Sequence, residues 1–358
     1  MAKHRYSEIL SDESITTAGT KIIDLNVSDP ITALFVQARL TNNGSTPTGH
    51  PASALKKIEV VDGSDVLVSL SGAEAQAKHF FDMGKPPVNL LAWVDDTQCV
   101  ASMLILFGRY LWDEELGLDP GKFMNPQIKI AHDYSLGGSS PDAATLQVYA
   151  LCFDQSAPAL KGFVQSKEIY MYSLTSSAYE YIDLPRDFPL RRLILQSVGT
   201  DKAINNQLSE VKLSEDHDKK VPLDETVANI YKMLDMDSKL YIEEIFGATD
   251  TSGVDHYVTP TMTVHAALTA MSTAAYLAKE ETPGNLFKIV GSAATNFRGL
   301  ISGHCPHGAL EIPFGDLSYP PDAWDVTALK NAQLRVKAGS SVASSSTAQV
   351  VVEQYRNY

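Results

Sequence analysis

A short stretch near the C-terminal end, GHCPHG, holds the residues with the clearest potential for chemistry. His304, Cys305 and His307 lie within four positions, and imidazole and thiolate groups are preferred ligands of zinc and copper. A zinc site commonly takes its remaining ligands from a second pair elsewhere in the chain, and the sequence offers no obvious pair. The pattern is more typical of loop residues before a strand, so these three residues are kept only as weak metal candidates.

Adjacent acidic residues occur at four places, and two carboxylates are what a glycosidase uses as acid and nucleophile or base. Neighbouring acids more often mark a solvated loop or a helix end. Asp235 and Asp237 lack the glycine and terminal glutamate of a calcium loop. None of these acids is therefore predicted to be catalytic. The four pairs are Asp95-Asp96, Glu114-Glu115, Glu243-Glu244 and Glu280-Glu281.

The sequence motifs of the common enzyme classes are missing. The chain has no Gly-x-Ser-x-Gly elbow, Walker loop, dinucleotide fingerprint or His-Glu-x-x-His helix. Residues 53–56, SALK, match Ser-x-x-Lys without the companion motifs of that class. We therefore predict a structural role, with no catalytic residue and no cofactor.

Composition and charge exclude other classes of function. The 358 residues carry a formal net charge of −14, which argues against the broad basic surface that phosphate backbones require. We expect no sequence-specific nucleic-acid binding, and a solvated tail at the basic residues 3–5. Cys99, Cys152 and Cys305 are too scattered for a disulfide framework and are predicted to be reduced core thiols. The N-terminus lacks the apolar core of a signal peptide, so synthesis in a host cytoplasm is expected.

These residues must be positioned by a chain that repeats itself. IDLNVSDPITALFVQARLT at 23–41 aligns without a gap with IDLPRDFPLRRLILQSVGT at 182–200. Seven of nineteen positions are identical, against roughly one expected from average residue usage. The matched pairs are Ile23 with Ile182, Asp24 with Asp183, Leu25 with Leu184, Pro30 with Pro189, Leu34 with Leu193, Gln37 with Gln196 and Thr41 with Thr200.

Three further blocks keep the same order, with different offsets where loops differ in length. Residues 55–83 match 208–236, 118–130 match 324–336, and 144–155 match 346–357. The shared positions include Leu55 with Leu208, Gln127 with Gln333 and Gln147 with Gln349. An ancestral duplication explains the collinear blocks, with about fifty extra residues in the second copy between Met236 and His304.

Each copy reads as a series of short strands separated by turn residues. ALFVQARL, KKIEVVDG, PQIKIAHD and TLQVYALCF are rich in β-branched and aromatic residues or alternate at period two. Helices are predicted for SGAEAQAKHFFDM, for its counterpart PLDETVANIYKMLDM, and for the inserted PTMTVHAALTAMSTAAYLAKE. About 140 residues of this kind favour an eight-stranded antiparallel jelly roll.

The predicted fold class is therefore all-β, with two tandem jelly-roll sandwiches and a few short helices. The predicted boundaries are an N-terminal arm at 1–17, a first jelly roll at 18–158, a linker at 159–170, and a second jelly roll at 171–358 with an insertion at about 237–303.

In its tandem β repeat, in LDPGKFMNPQIKI at 118–130 and in the final strand AQVVVEQYRNY, the chain resembles the double jelly-roll major capsid proteins of tailless icosahedral viruses, which include the tectiviruses. The resemblance implies a homotrimer whose six jelly rolls form a pseudo-hexagonal tile in the virion shell. It also implies contacts with neighbouring capsid trimers, with minor capsid and vertex proteins, and with an internal membrane near the N-terminal arm.

Two other classes stay open from the sequence alone. One is a bicupin-like or carbohydrate-active two-domain enzyme, although the nine histidines do not form the His-x-His cluster with Glu and a later His that a cupin uses. The other is a receptor-binding spike module, in which Trp93, Trp112 or Trp324 could stack on sugar.

Overall fold

The computed structural model describes residues 3–358 except 155–156, 200–201, 236–239, 274, 276 and 281–283. The helices are α1 (Gly72–Met83), α2 (Ile204–Gln207) and α3 (Val227–Asp235). The strands are β1 (Lys3–Ile15), β2 (Ala18–Asp24), β3 (Ile31–Thr41), β4 (Leu55–Asp62), β5 (Asp65–Leu70), β6 (Leu91–Trp93), β7 (Gln98–Leu106), β8 (Pro126–Asp133), β9 (Ala143–Asp154), β10 (Gly162–Ser173), β11 (Tyr179–Asp183), β12 (Leu190–Val198), β13 (Leu208–Glu215), β14 (Lys220–Thr226), β15 (Tyr241–Thr249), β16 (Val254–Tyr257), β17 (Pro260–Ala270), β18 (Leu277–Glu280), β19 (Leu286–Gly291), β20 (Thr295–Pro306), β21 (Ala309–Pro313), β22 (Ala332–Ala338) and β23 (Thr347–Asn357).

Eight strands of the first half form two sheets, in the orders β1-β9-β3-β7 and β2-β8-β4-β5. Strand side chains alternate between the two faces of a sheet, so every second residue points inward. Leu34, Val36, Ile58, Ile130 and Val148 are fully buried in the resulting core. This arrangement is a jelly roll, and each sheet combines strands that are distant in the sequence.

The second half repeats this strand order. Its sheets are β10-β23-β12-β21 and β11-β22-β13-β14, which follow the first half strand for strand. Leu193, Leu195, Leu213, Leu334 and Val350 fill its core. The predicted fold class, two tandem eight-stranded jelly rolls with a few short helices, is confirmed.

One hydrogen bond shows that the sequence repeat is also a repeat of structure. Gln127 Nε2 donates to Asp24 Oδ1 at 2.7 Å between β8 and β2. Gln333 Nε2 donates to Asp183 Oδ1 at 3.1 Å between β22 and β11. Both pairs were matched from the sequence alone, in blocks with different offsets, so the blocks occupy equivalent registers.

The two jelly rolls share a sheet. β5 pairs with β10 in parallel, with Val68 opposite Ser166 and Ser69 opposite Lys167. This contact merges four strands of each half into one eight-stranded sheet, in the order β2-β8-β4-β5-β10-β23-β12-β21. Ile194 and other buried residues of the second half accordingly pack in the core of the first.

Helix α1 begins and ends as its sequence predicts. The Ser71 side chain accepts the Glu74 N–H, and the Glu74 carboxylate accepts the Ser71 N–H, which together form a capping box. Gly84 closes the helix in the left-handed conformation, with φ of 59°. Helix α3 follows β14 as α1 follows β5, so it occupies the equivalent place in the second half. No described helix is both long and apolar enough to cross a membrane.

The extra length of the second copy forms a separate pair of small sheets. Strands β17-β20-β15-β6 form one and β16-β19-β18 the other, so β6 is contributed by the first half. β15 to β20 together with β6 are called the inserted unit below. Ile245, Phe287, Ile289, Phe297 and Ile301 are buried in its core.

The predicted helix over the inserted segment PTMTVHAALTAMSTAAYLAKE is wrong, because its described residues form β17 and β18. Val264, Ala266 and Leu268 pack toward the core at a spacing of two, whereas a helix requires a spacing of three and four. Alanine and threonine fit either period, so the sequence pattern of this segment does not distinguish a helix from a strand.

Two of the predicted segments, the N-terminal arm and the linker, contain strands instead. The segment predicted as an N-terminal arm contains β1, which pairs with β9 along its length, and most of the segment predicted as a linker lies in β10. Both are first strands of their jelly rolls, and each covers a sheet edge that would otherwise be open. Charges on β1, an edge strand, gave it the composition of a tail.

Some residues used in the sequence predictions lie outside the described part of the chain. They are Gln155, Thr200, Met236, Asp237 and Glu281.

Candidate functional site

The three metal candidates do not form a ligand set. His307 Nε2 lies 2.8 Å from Gln76 Oε1, and its ring packs edge-on against His50 at 4.7 Å. His304 packs edge-on against the Tyr231 ring at 5.7 Å, and Cys305 is buried. Within the described part of the chain, no three His, Cys, Asp or Glu side chains come together in a way that could hold a metal ion.

The acidic pairs are also separated by the structure. On β15, Glu243 is buried while the side chain of Glu244 is 67% exposed, because adjacent strand residues point to opposite faces. Glu115 forms ion pairs with Arg109 and Lys161. Asp96 lies in an exposed turn with φ of 57°. Where the structure describes them, these acids therefore lie at the surface, form ion pairs or are buried one at a time, and do not face each other as a catalytic pair would.

Glu243 belongs to a buried hydrogen-bond chain that the sequence did not indicate. The Ala52 N–H donates to His50 Nδ1 at 3.1 Å, which leaves Nε2 as the protonated nitrogen of neutral His50. Nε2 lies 3.0 Å from Thr259 Oγ1, and the Thr259 hydroxyl donates to Glu243 Oε2 at 2.7 Å. The Thr259 N–H donates to Glu243 Oε1 at 2.7 Å. This chain ties a loop of the first jelly roll to the base of the inserted unit.

Burial sets the protonation of these groups. It lowers the pKa of His307 to about 3, and, together with the charge of neighbouring His307, it holds the pKa of His50 well below its usual value. It raises the pKa of Glu243 to about 7, and of Glu74 to about 7 with a further contribution from Glu168.

We expect the stability of the fold to rise from pH 5 to about pH 6.5 and to level off above that pH. Below that pH the unfolded chain protonates histidines that stay neutral when buried, and each such proton costs the fold about 1.4 kcal/mol per pH unit. The two carboxyls act oppositely, because their stabilisation is complete below about pH 4.5 and is lost as the pH rises through 7. The histidines outnumber them, so acid destabilises. The histidines concerned are His50, His79, His256 and His307.

Denaturant unfolding at pH 5, 6.5 and 8 measures this dependence. In the variant Glu243→Gln, the rise in stability between pH 5 and 6.5 should become steeper, because the opposing contribution of this carboxyl is lost, and the change between pH 6.5 and 8 should be smaller. A stability that rises steadily from pH 5 to 8 would contradict the assignment.

A second buried cluster, the charged seam, joins the two jelly rolls. It consists of Lys78 and Asp82 on α1, Arg191 and Arg192 on β12, Glu311 on β21 and Glu353 on β23. Lys78 Nζ lies 2.6 Å from Asp82 Oδ2 and 2.7 Å from Glu353 Oε1, and all three side chains are fully buried. The helix of the first half is thereby fixed to the sheet of the second.

Arginines complete the charged seam. Arg191 Nη1 lies 2.6 Å from Glu353 Oε2, and Arg192 Nη1 lies 2.6 Å from Glu311 Oε1. Burial alone would raise the pKa of Glu353, yet the nearby cations hold it well below its usual value. Three cations face three carboxylates, so the seam is electrically balanced only when every member is present.

Two consecutive arginines are the sequence feature that marks this seam. Arg191 and Arg192 interrupt an apolar strand, and the equivalent positions of the first copy are Thr32 and Ala33. Consecutive charges inside a buried strand require partners from another element.

Comparison with known proteins shows a likeness of fold without a likeness of sequence. No family model matches the chain, and no curated protein matches it. The major capsid protein of Sulfolobus turreted icosahedral virus superposes with a TM-score of 0.59 at 12% identity, covering 99% of this chain and 96% of that one.

Two further capsid proteins show the same likeness. The major capsid protein of bacteriophage PM2 has a TM-score of 0.57 at 11% identity, with 99% and 98% of the two chains covered. PBCV-1 VP54, fitted into a reconstruction of the virophage Sputnik, has a TM-score of 0.60 at 10% identity, with 99% and 94% covered. The chain therefore has the double jelly-roll fold of these major capsid proteins, and the resemblance drawn from its repeat is confirmed for the fold.

Proposed function

We propose that this chain is a major capsid protein, a building block that assembles as a trimer into the icosahedral shell of a virus. One observation carries the proposal. The two sheets of the second half repeat the strand orders of the first half, and the chain superposes on viral capsid proteins along nearly its whole length. The enzyme and spike alternatives gain no comparable support.

The geometry of the chain suits a closed shell. Two similar jelly rolls lie side by side in one molecule, so three molecules around a threefold axis present six similar flanks. Every flank of such a trimer can meet a neighbour through related contacts, and one gene product then covers a large surface. A protein that acts in this way needs no catalytic site.

One flank of the second jelly roll has the composition of a contact surface. Tyr179 and Tyr181 on β11 are exposed, and the Tyr179 ring lies 5.3 Å from the Arg335 guanidinium and 5.2 Å from Lys337 Nζ. Tyrosine and arginine are enriched among the residues that dominate binding energy at interfaces. We assign this face to contacts with other capsid subunits.

Contacts with minor capsid and vertex proteins and with an internal membrane belong to the same proposal. Arg5 is ion-paired with Asp29, and the His4 ring is stacked on Trp112 at 3.8 Å. Contact with anionic lipid would require Arg5 to exchange this carboxylate for a lipid phosphate. Binding of the protein to phosphatidylserine vesicles, compared with neutral vesicles, would test that contact.

Light scattering on the purified protein should give a mass of three 39.0-kDa chains, and electron micrographs of the particles should show a near-hexagonal outline. The six similar flanks account for that outline. A stable monomer at concentrations at which capsid proteins assemble, or a particle with a plainly triangular or twofold outline, would contradict the proposal.

A further inference from the structure

Strand β17 has an open edge. It is the terminal strand of the sheet β17-β20-β15-β6, where it pairs with β20, and no other described strand pairs with its opposite side. The strand begins in the buried base of the inserted unit. A bulge at Thr263, which has φ of 51°, separates this base from a regular, more exposed stretch from His265 to Ala270.

The hydrogen-bonding groups along that edge can be identified. The Met271 N–H donates to the Asn296 carbonyl at 2.8 Å, just beyond the paired stretch. In an antiparallel pair, every second residue exchanges hydrogen bonds with its neighbour, and the residues between turn their N–H and C=O groups outward. Counted back from Met271, the outward residues are Ala266, Leu268 and Ala270.

The chemistry of this edge differs from that of the other edges. Natural sheets protect exposed edges with charges, proline or short strands. Residues 265–270, HAALTA, contain no Asp, Glu, Lys, Arg or Pro. The other described edge strands carry charges, are very short or are buried: charges lie in β1, β2, β11, β14 and β16, β6 has three residues and β18 has four, β21 is largely buried and ends in Pro313, and β7 is almost wholly buried.

We propose that β17 pairs with β17 of a second copy of this chain, antiparallel about a twofold axis, so that two inserted sheets become one continuous sheet. With the axis at Leu268, Ala266 lies opposite Ala270 of the partner subunit, and the three outward residues of each strand bond to those of the other. Two identical strands are suited to this arrangement, because an antiparallel pair of equal strands is symmetric about a twofold axis.

Side chains are compatible with this pairing. Ala267 and Thr269 project from the exposed face, and the twofold axis places Ala267 opposite Thr269 of the partner subunit. Both are small and uncharged, so no like charges meet. Leu268, which packs against the core of the inserted unit, comes beside its own copy and extends that apolar layer across the axis.

The pairing goes beyond the proposed function and does not depend on it. A twofold contact cannot close a trimer, so in a trimeric protein it joins one trimer to another. The pairing therefore affects association between trimers and leaves each trimer unchanged.

The variant Ala267→Lys tests the pairing, because it places two added lysines on opposite sides of the axis. We expect association between particles to weaken at least tenfold in a concentration series followed by sedimentation. Asn296→Lys is the matched control: it adds the same charge to an exposed position of β20, which has neighbours on both sides. Equal weakening in both variants, or in neither, would overturn the proposal, as would loss of the trimer in Ala267→Lys alone.

A cross-link tests directly whether the strand that pairs with β17 is β17 of a second copy. The double variant Ala267→Cys/Thr269→Cys should form a disulfide-linked dimer under mild oxidation, because cross-strand positions lie within disulfide range. The three native cysteines are buried, and oxidation of the unmodified chain measures how much cross-linking they cause. If no dimer appears at concentrations at which the unmodified protein associates, β17 does not pair with itself.

Discussion

Glu353→Gln is expected to destabilise the protein by about 3–5 kcal/mol, measured as the free energy of unfolding in denaturant. The substitution keeps the shape of the side chain and removes one of three buried carboxylates of the charged seam. Lys78, Arg191 and Arg192 would then face two carboxylates in an environment that water does not reach. An unpaired buried cation is far more costly than the pair was favourable.

Two comparisons separate this effect from a general loss of charge. Glu210→Gln removes a half-exposed ion pair with Lys337 on the second jelly roll, and should cost less than about 1 kcal/mol. Adding Lys78→Met to Glu353→Gln restores the balance of charge and should recover a measurable part of the loss, as a double-mutant cycle would show. A cost below about 1 kcal/mol for Glu353→Gln alone would show that the seam does not hold the halves together.

Trp93→Ala is expected to cost about 3–5 kcal/mol, because a fully buried indole leaves a large cavity. Trp93 is the last residue of β6, the only strand that the first jelly roll contributes to the described part of the inserted unit. Its ring packs edge-on against His256 at 5.6 Å, and it lies beside Gly247 of β15 in a parallel pair. The loss of stability should therefore be concentrated where the inserted unit joins the first jelly roll.

Hydrogen exchange locates that loss. Amides of β15 and β20 should exchange faster in Trp93→Ala, while those of β12 and β23 keep their protection until global unfolding. Leu90→Ala, in a half-exposed position close to β6, is the control and should change little. Uniform acceleration across both jelly rolls would contradict a local role for Trp93.

The sequence predicted the parts of the fold that the repeat constrains. Asp24 and Gln127 recur as Asp183 and Gln333 because they make the same cross-strand bond, so internal comparison found their strands without any structure. The repeat does not reveal strands β1 and β10, because the first strands of the two halves share little sequence, and β1 is an edge strand that carries the charges of a tail. The helix predicted over β17 failed because alanine and threonine mark no period clearly.

The seam and the buried chain through His50 could not be found from a repeat. Arg191 and Arg192 stand where the first copy has Thr32 and Ala33, so they depart from the pattern that guided the prediction. Thr259 and Glu243 both belong to the inserted unit, but His50 is 209 positions from Thr259 and meets them only because the inserted unit packs onto the first jelly roll. Contacts of this kind depend on how units pack, which the spacing of residues along the chain does not record.

The parallel contact between β5 and β10 bears on how the molecule deforms. Backbone hydrogen bonds run without interruption from β2 to β21, so there is no joint at which one half could swing against the other. Bending the two halves would require breaking a ladder inside a packed core. Any curvature of a surface built from this chain must therefore arise at the boundaries between molecules.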